Sequence, residues 1–338
     1  MAASLARIPV PSRHRTLSIV LMSGLRETFE AETAAGSDHL RELRMPGSPL
    51  FAEAQPPHRA GLPPALFVHG LGGCTRNWEL LMAELAGTVD GHALDLPGFG
   101  QSPPPDDADL SLDAHMRAVI DFIELSGRGP VHLFGNSLGG AVSTRLAALR
   151  PDLVRTLTLI SPALPELPPQ TTAWPTALLG MPGAAGVIRR ASRGRALEQQ
   201  TQALLDLCYG DPGRIPAERR ALMAAEYRRR AELPYALDVL SRSARGIVRA
   251  YTERGERSLW RQAARVTAPT LLVYGLKDKL VGYRMARRAS LAFPDSRLLV
   301  LPLAGHVAMM EYPELVATRF EELLAELAPR VKDSVPAE

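Results

Sequence analysis

Ser137 stands in the run Gly135-Asn136-Ser137-Leu138-Gly139, behind a short apolar stretch and ahead of a patterned helix. A strand that turns directly into a helix forces its turn residue into strained backbone geometry and lifts the side chain clear of the sheet. Glycines two positions before and after the serine keep strand and helix from colliding. A neutral hydroxyl is a poor nucleophile, so a base must take its proton as it attacks, and imidazole titrates in the right range. In a strand-serine-helix arrangement the base follows the serine in the chain. Of the eight histidines only His306 does so, in Leu303-Ala304-Gly305-His306 just past the last expected strand.

The third partner is a carboxylate that fixes the imidazole tautomer and stabilises its charge. Thirteen acids lie between Ser137 and His306. Asp278 is preferred because it directly follows the apolar run Thr270 to Tyr274 and so leaves the sheet at the same end as the serine. Asp295 precedes a strand and reads as a turn residue at the opposite end. Negative charge developing on a substrate oxygen needs aimed N–H donors. Leu138, after the serine, supplies one, and the glycine-rich turn His69-Gly70-Leu71-Gly72-Gly73 supplies the other, from Leu71. A dinucleotide turn is the competing reading of Gly70 and Gly72 with Asp95. Thr75 occupies the position of that fingerprint's third glycine, and Pro97 follows Asp95 too closely for a ribose site.

These residues need a sheet to carry them. Ala65 to His69, Gly91 to Leu96, Pro130 to Phe134, Val154 to Ile160, Thr270 to Tyr274 and Arg297 to Leu301 are short apolar runs without alternation. Separated by helical stretches, they predict buried strands of a mostly parallel sheet. Leu138, Ala141, Val142, Leu146 and Leu149 trace one helix face that ends at Pro151, and Val316, Phe320, Leu323, Leu324 and Leu327 trace another. From residue 161 to 268 no strand signal appears, and Leu237, Leu240, Ala244, Ile247, Val248 and Tyr251 recur at helical spacing. The division is therefore residues 1–50 as an N-terminal arm or first strands, with a charged patch at His39 to Arg44, then a core of 51–160 and 269–338 interrupted by a helical insertion, 161–268.

The chain has 338 residues, 46% of them hydrophobic and 22% charged, as in ordinary globular proteins. Its net charge of +3 is too slight to imply nucleic acid. Cys74 and Cys208 lack the number and spacing of a disulfide framework or a metal site, which points to free thiols in a reducing compartment, the cytoplasm. No run reaches the length of a membrane span, and Leu17 to Leu25 is too short and interrupted for a leader. The insertion holds 17 arginines, no lysine and 10 acids, a net +7. Such charges usually solvate helix faces, though they also suit acidic substrates or peripheral contact with an anionic membrane.

Taken together, His69-Gly70, Asp95-Leu96-Pro97-Gly98-Phe99-Gly100-Gln101-Ser102, Gly135-Asn136-Ser137-Leu138-Gly139-Gly140, Asp278 and Gly305-His306 leading to Glu311 resemble the α/β-hydrolase fold superfamily over about residues 60–330. The resemblance implies that Asp95 is structural, that no cofactor or metal is used, and that the insertion acts as a lid. Relatives that open epoxides or remove halogens carry an aspartate where Ser137 stands, and aminopeptidase relatives carry Gly-Gly-Pro-Gly after the strand histidine. Hydrolysis of a small-molecule carboxylic ester or thioester is the expected activity. Asn136 resembles carbon-carbon hydrolases of ring-fission products, but those carry tryptophan after the histidine, where this chain has Val307. A non-catalytic binder of small ligands is the third reading. Gly70, Asn136, Trp174, Leu178 and Val307 are expected to touch substrate, and Trp174, Leu178, Leu179, Met181, Val187 and Ile188 to line an apolar acyl pocket or pack a lid core.

Overall fold

The computed structural model of the protein describes residues 5–9, 15–20, 40–44, 49–191 and 196–328. Ten strands make one sheet in the order β1-β2-β10-β9-β8-β7-β5-β6-β4-β3. They are β1 (Leu5–Pro9), β2 (Arg15–Val20), β3 (Arg41–Arg44), β4 (Phe51–Ala54), β5 (Pro64–Val68), β6 (Asp90–Leu94), β7 (Val131–Asn136), β8 (Val154–Ile160), β9 (Thr270–Gly275) and β10 (Ser296–Leu301). From β6 to β2 every neighbouring pair is parallel. The antiparallel pairs β1 with β2, β3 with β4 and β4 with β6 close the two edges. Residues 41–44 of the charged patch thus form a strand, while His39 lies outside the described residues.

The parallel strands read as continuous apolar runs because helices cover both faces. Leu66, Val68, Leu133, Leu157, Leu159 and Leu272 point to one core, shared with α2 (Leu112–Ser126), α3 (Leu138–Leu149) and α10 (Arg284–Ala292). Their neighbours Ala65, Phe67, Phe134, Ile160, Leu271 and Val273 point to the other, against α1 (Glu79–Glu84), α11 (Ala308–Glu311) and α12 (Pro313–Leu327). There Phe67 stacks on Phe134 at 4.4 Å between ring centroids, and Phe134 meets Phe320 at 4.9 Å. Each such buried ring contributes roughly 1.5–3 kcal/mol.

Helix α3, which starts at the elbow, is anchored by the buried Arg145. Its guanidinium donates to Asp113 Oδ1 (2.6 Å), Gln262 Oε1 (3.1 Å), the Arg257 carbonyl (3.0 Å) and Glu253. Between β8 and β9 the described residues form helices and turns: α4 (Trp174–Leu179), α5 (Ala184–Ala191), α6 (Leu197–Cys208), α7 (Ala217–Glu232), α8 (Ala236–Thr252) and α9 (Leu259–Ala263). No helix among the described residues is long and apolar enough to cross a membrane.

Besides His306, four histidines are buried among the described residues. Burial lowers His69, His92 and His132 to about 4 and His115 to about 3, below the ordinary 6.5. Between those values the unfolded chain binds protons that the folded chain refuses, so stability is fully present above about pH 6.5 and is lost as pH falls toward 4. Each histidine contributes up to about 1.4 kcal/mol per pH unit in that window. Urea unfolding measured from pH 7.5 to 4.5 is expected to show this decline; a flat profile would contradict it.

Candidate active site

The C-terminal ends of the parallel strands converge on one edge, and each delivers one part of the site. At the end of β7, Ser137 adopts φ 53° and ψ −114°, the strained turn foreseen for a serine between strand and helix. A Cβ on Gly135 would sit 2.6 Å from both the Gly139 carbonyl oxygen and Ser143 Oγ, and one on Gly139 would collide with the Val68 carbonyl. No side chain fits at either position.

Beyond β9, Asp278 turns its carboxylate inward. Oδ1 accepts from the amides of Leu280 (2.8 Å) and Val281 (2.9 Å), and Oδ2 lies 2.9 Å from His306 Nδ1. Burial pushes this carboxyl up, but the His306 charge, the His306 hydrogen bond and the Val281 amide outweigh it and hold it below the usual carboxylate range. An ionised carboxylate only accepts, so Nδ1 carries a proton, and in the neutral imidazole Nε2 is then the acceptor. Both groups are buried.

Beyond β10, the His306 loop is tied to the elbow and to the insertion. Asn136 Nδ2 donates to the carbonyls of His306 and Ile160, both at 3.0 Å, so the residue before Ser137 holds the backbone of the imidazole-bearing residue. The His306 amide donates to the Cys208 carbonyl at 2.7 Å. Glu311 accepts from the Gly305 amide (2.7 Å) and the Gly210 amide (2.8 Å), strapping both segments.

Beyond β5, the turn Gly70-Leu71-Gly72-Gly73 is closed by Gly73 N–H on the Gly70 carbonyl (3.0 Å), with Gly72 at φ 73°. That positive φ at the third position is the type II turn that requires glycine. His69 Nδ1 also donates to the Gly70 carbonyl (2.8 Å), while its Nε2 accepts from the Leu96 amide (3.0 Å). With the carbonyl of the Gly70–Leu71 peptide so held, the Leu71 N–H on the opposite side of that planar unit is fixed in direction. Leu138 is the first residue of α3, where an amide has no acceptor within the helix. A Cβ on Gly70 would lie 3.0 Å from Ser137 Cβ, so the turn rests against the serine. Asp95, at the end of β6, accepts from the Thr75 and Gln101 amides at 2.7 Å each, which occupies both carboxylate oxygens in loop structure.

The sequence profile of the family described as alpha/beta hydrolase fold matches residues 63–313. The chain belongs to this family. It is 31% identical over 257 residues, 75% of its length, to the dihydrolipoyllysine-residue acetyltransferase component of acetoin cleaving system of Pseudomonas putida, and the match spans 61% of that relative's length. It is 26% identical over 270 residues to lipase 1 of Psychrobacter immobilis, covering 76% of this chain and 75% of that one. Among solved structures it is similar to the 2-hydroxy-6-oxo-6-phenylhexa-2,4-dienoate hydrolase of Rhodococcus sp. strain RHA1. That likeness has a TM-score of 0.69 and 20% identity, and covers 85% of this chain and 99% of that one.

The other side chains expected to touch substrate take varied places in the fold. Asn136 is buried, and its amide group donates to two carbonyls of its own chain, so it braces the elbow. Val307 is buried in the second core with Ala304, Ala308 and Met309. Trp174 and Leu178 are about half exposed on α4, which packs on α8. Gly70 stays at the serine, as backbone only. Among the described residues no cluster of three His, Cys, Asp or Glu side chains is placed to hold a metal ion.

The motif assigns Glu311 no role, and the structure gives it one. Burial raises its carboxyl above the usual range, partly offset by the Gly305 and Gly210 amides. Glu311→Gln puts an NH2 group against one of those donors and loosens the His306 loop. A misplacement on the scale of 1 Å lowers turnover about 100-fold. Glu311→Gln is therefore expected to lower kcat on an activated ester by up to that factor with KM little changed; an unaltered kcat would show the strap to be dispensable.

Proposed function

We propose that this hydrolase cleaves carboxylic esters or thioesters through an acyl-enzyme on Ser137, with residues 161–268 acting as a lid. The observation that carries the reading is the buried Asp278–His306 contact, which selects the neutral tautomer with Nε2 as acceptor and is braced to the elbow through Asn136. As the Ser137 oxygen attacks the acyl carbon, Nε2 takes the hydroxyl proton, and the carbonyl π pair moves onto oxygen, where the Leu71 and Leu138 amides receive it. Collapse expels the alcohol or thiol, which leaves with the proton from Nε2. Water then repeats the sequence on the acyl-enzyme, giving the free acid and restoring Ser137. Every group in the cycle belongs to the chain, and the reading needs no metal or cofactor. The two free thiols favour a reducing compartment, the cytoplasm.

Carbon-carbon cleavage of a vinylogous diketone would use the same three residues. Two features weigh against it: Val307 replaces the tryptophan of those relatives and is packed in the core, and Asn136 is engaged with backbone. The discriminating experiment is turnover of p-nitrophenyl acyl esters of increasing chain length beside a coloured ring-fission dienoate. Ester hydrolysis that disappears in Ser137→Ala is expected. Turnover of the dienoate with negligible ester hydrolysis would select the other chemistry, and tight binding of either without turnover would select a binder.

A further inference from the structure

Helices α4 and α5 form a hairpin joined by residues 180–183, and its inner side is pinned to α8. Ser241 Oγ donates to the Leu179 carbonyl at 2.8 Å, and Arg245 Nε to the Gly180 carbonyl at 2.9 Å. Gly180 lies so close that a Cβ there would sit 2.9 Å from the Arg245 amide nitrogen. With the inner side fixed, the outer side is presented to solvent. It carries Trp174 (49% exposed), Leu178 (52%), Met181 (55%) and Val187 (69%). Trp174 and Leu178 are one helical turn apart on the same face of α4. Single exposed apolar side chains are ordinary on a protein surface, but four large ones within one short hairpin are not.

The charge along the hairpin's own sequence has one sign. From Leu167 to Leu197 the sequence has no aspartate or glutamate and four arginines, of which Arg189 and Arg190 are exposed in the last turn of α5. Other arginines of the insertion sit beside carboxylates: Arg229 with Glu226 at 2.7 Å, Arg242 with Asp238 at 2.7 Å and Arg257 with Glu253 at 2.8 Å. Their charge is compensated within the protein. The hairpin's is not compensated within its own sequence, and it adjoins the exposed apolar side chains. A surface that offers both buried acyl chains and negative headgroups complements that combination, whereas a second copy of the same cationic hairpin would bring like charges together.

We propose that the α4–α5 hairpin docks on an anionic bilayer surface, with Trp174, Leu178, Met181 and Val187 entering the headgroup–acyl boundary and Arg189 and Arg190 lying among the lipid phosphates. The docking does not depend on the catalytic reading and is tested by binding alone. Trp78 is buried and Trp260 half-buried, so a change in tryptophan emission on docking reports Trp174.

The experiment adds the full chain to vesicles of phosphatidylcholine, with and without 30% phosphatidylglycerol, and follows sedimentation and emission. Partition onto the anionic vesicles with a blue shift in emission is expected, weakened by 0.5 M NaCl. Arg189→Gln with Arg190→Gln is expected to bind about 30-fold more weakly, at about 1 kcal/mol per arginine near the surface. Leu178→Ser with Val187→Ser is expected to weaken binding at least tenfold while the far-ultraviolet circular dichroism stays unchanged. The proposal is overturned by absence of partition onto anionic vesicles, by partition that neither pair of substitutions alters, or by a concentration-dependent dimer that shifts Trp174 emission without lipid.

Discussion

Replacement of Ser137 by alanine is expected to lower kcat on acyl esters by about 10⁶, leaving only the residual rate that binding and the oxyanion donors provide. Alanine has no nucleophile but keeps the backbone's φ of 53°, so folding stability should change little. Ser137→Gly separates the two roles of the position. Glycine adopts a positive φ without steric cost, and strain of this kind is worth roughly 1–3 kcal/mol, offset in part by glycine's greater freedom in the unfolded chain. The glycine variant should therefore be equally inactive yet no less stable than the alanine variant, and more stable where strain relief dominates. Urea unfolding of the two variants side by side makes the comparison. A glycine variant clearly less stable than the alanine one would show that the elbow stores no strain.

Asp278→Asn is expected to cost about 10⁴ in kcat, through the imidazole and not through folding. Oδ1 holds the Leu280 and Val281 amides, so the asparagine oxygen is retained there and its NH2 takes the place of Oδ2. That group donates where the carboxylate accepted, so Nδ1 must give up its proton and Nε2 must carry one. An Nε2 already protonated cannot take the serine's proton. Steady-state kinetics on an activated ester, with unfolding measured in parallel, tests this; a loss below tenfold would mean that something other than Asp278 sets the tautomer.

The placement of Ser137, Asp278 and His306 past the ends of parallel strands was legible because each follows an apolar run that stops abruptly, and parallel strands deliver their ends to one edge. The sheet itself was legible for the same reason, except at its margins. β4 was not foreseen, since Glu53 breaks its apolar character; the structure keeps that carboxylate buried by pairing it with Arg76 at 3.0 Å. The bracing contacts were also invisible. Asn136 reaches a carbonyl 170 residues away, and Glu311 grips amides from two separate loops, and bonds to backbone leave no mark on the partner's residue type. The half exposure of Trp174 and Leu178 was not legible either, because burial depends on which side of a short helix its neighbour covers.

The central claim is that Ser137 is an activated nucleophile, and a fluorophosphonate probe tests it most directly, since it phosphonylates only such a hydroxyl. Peptide mass mapping after labelling is expected to find one adduct, on Ser137, absent in Ser137→Ala and formed far more slowly in His306→Ala. Folded protein that remains unmodified at Ser137 under excess probe would contradict the account.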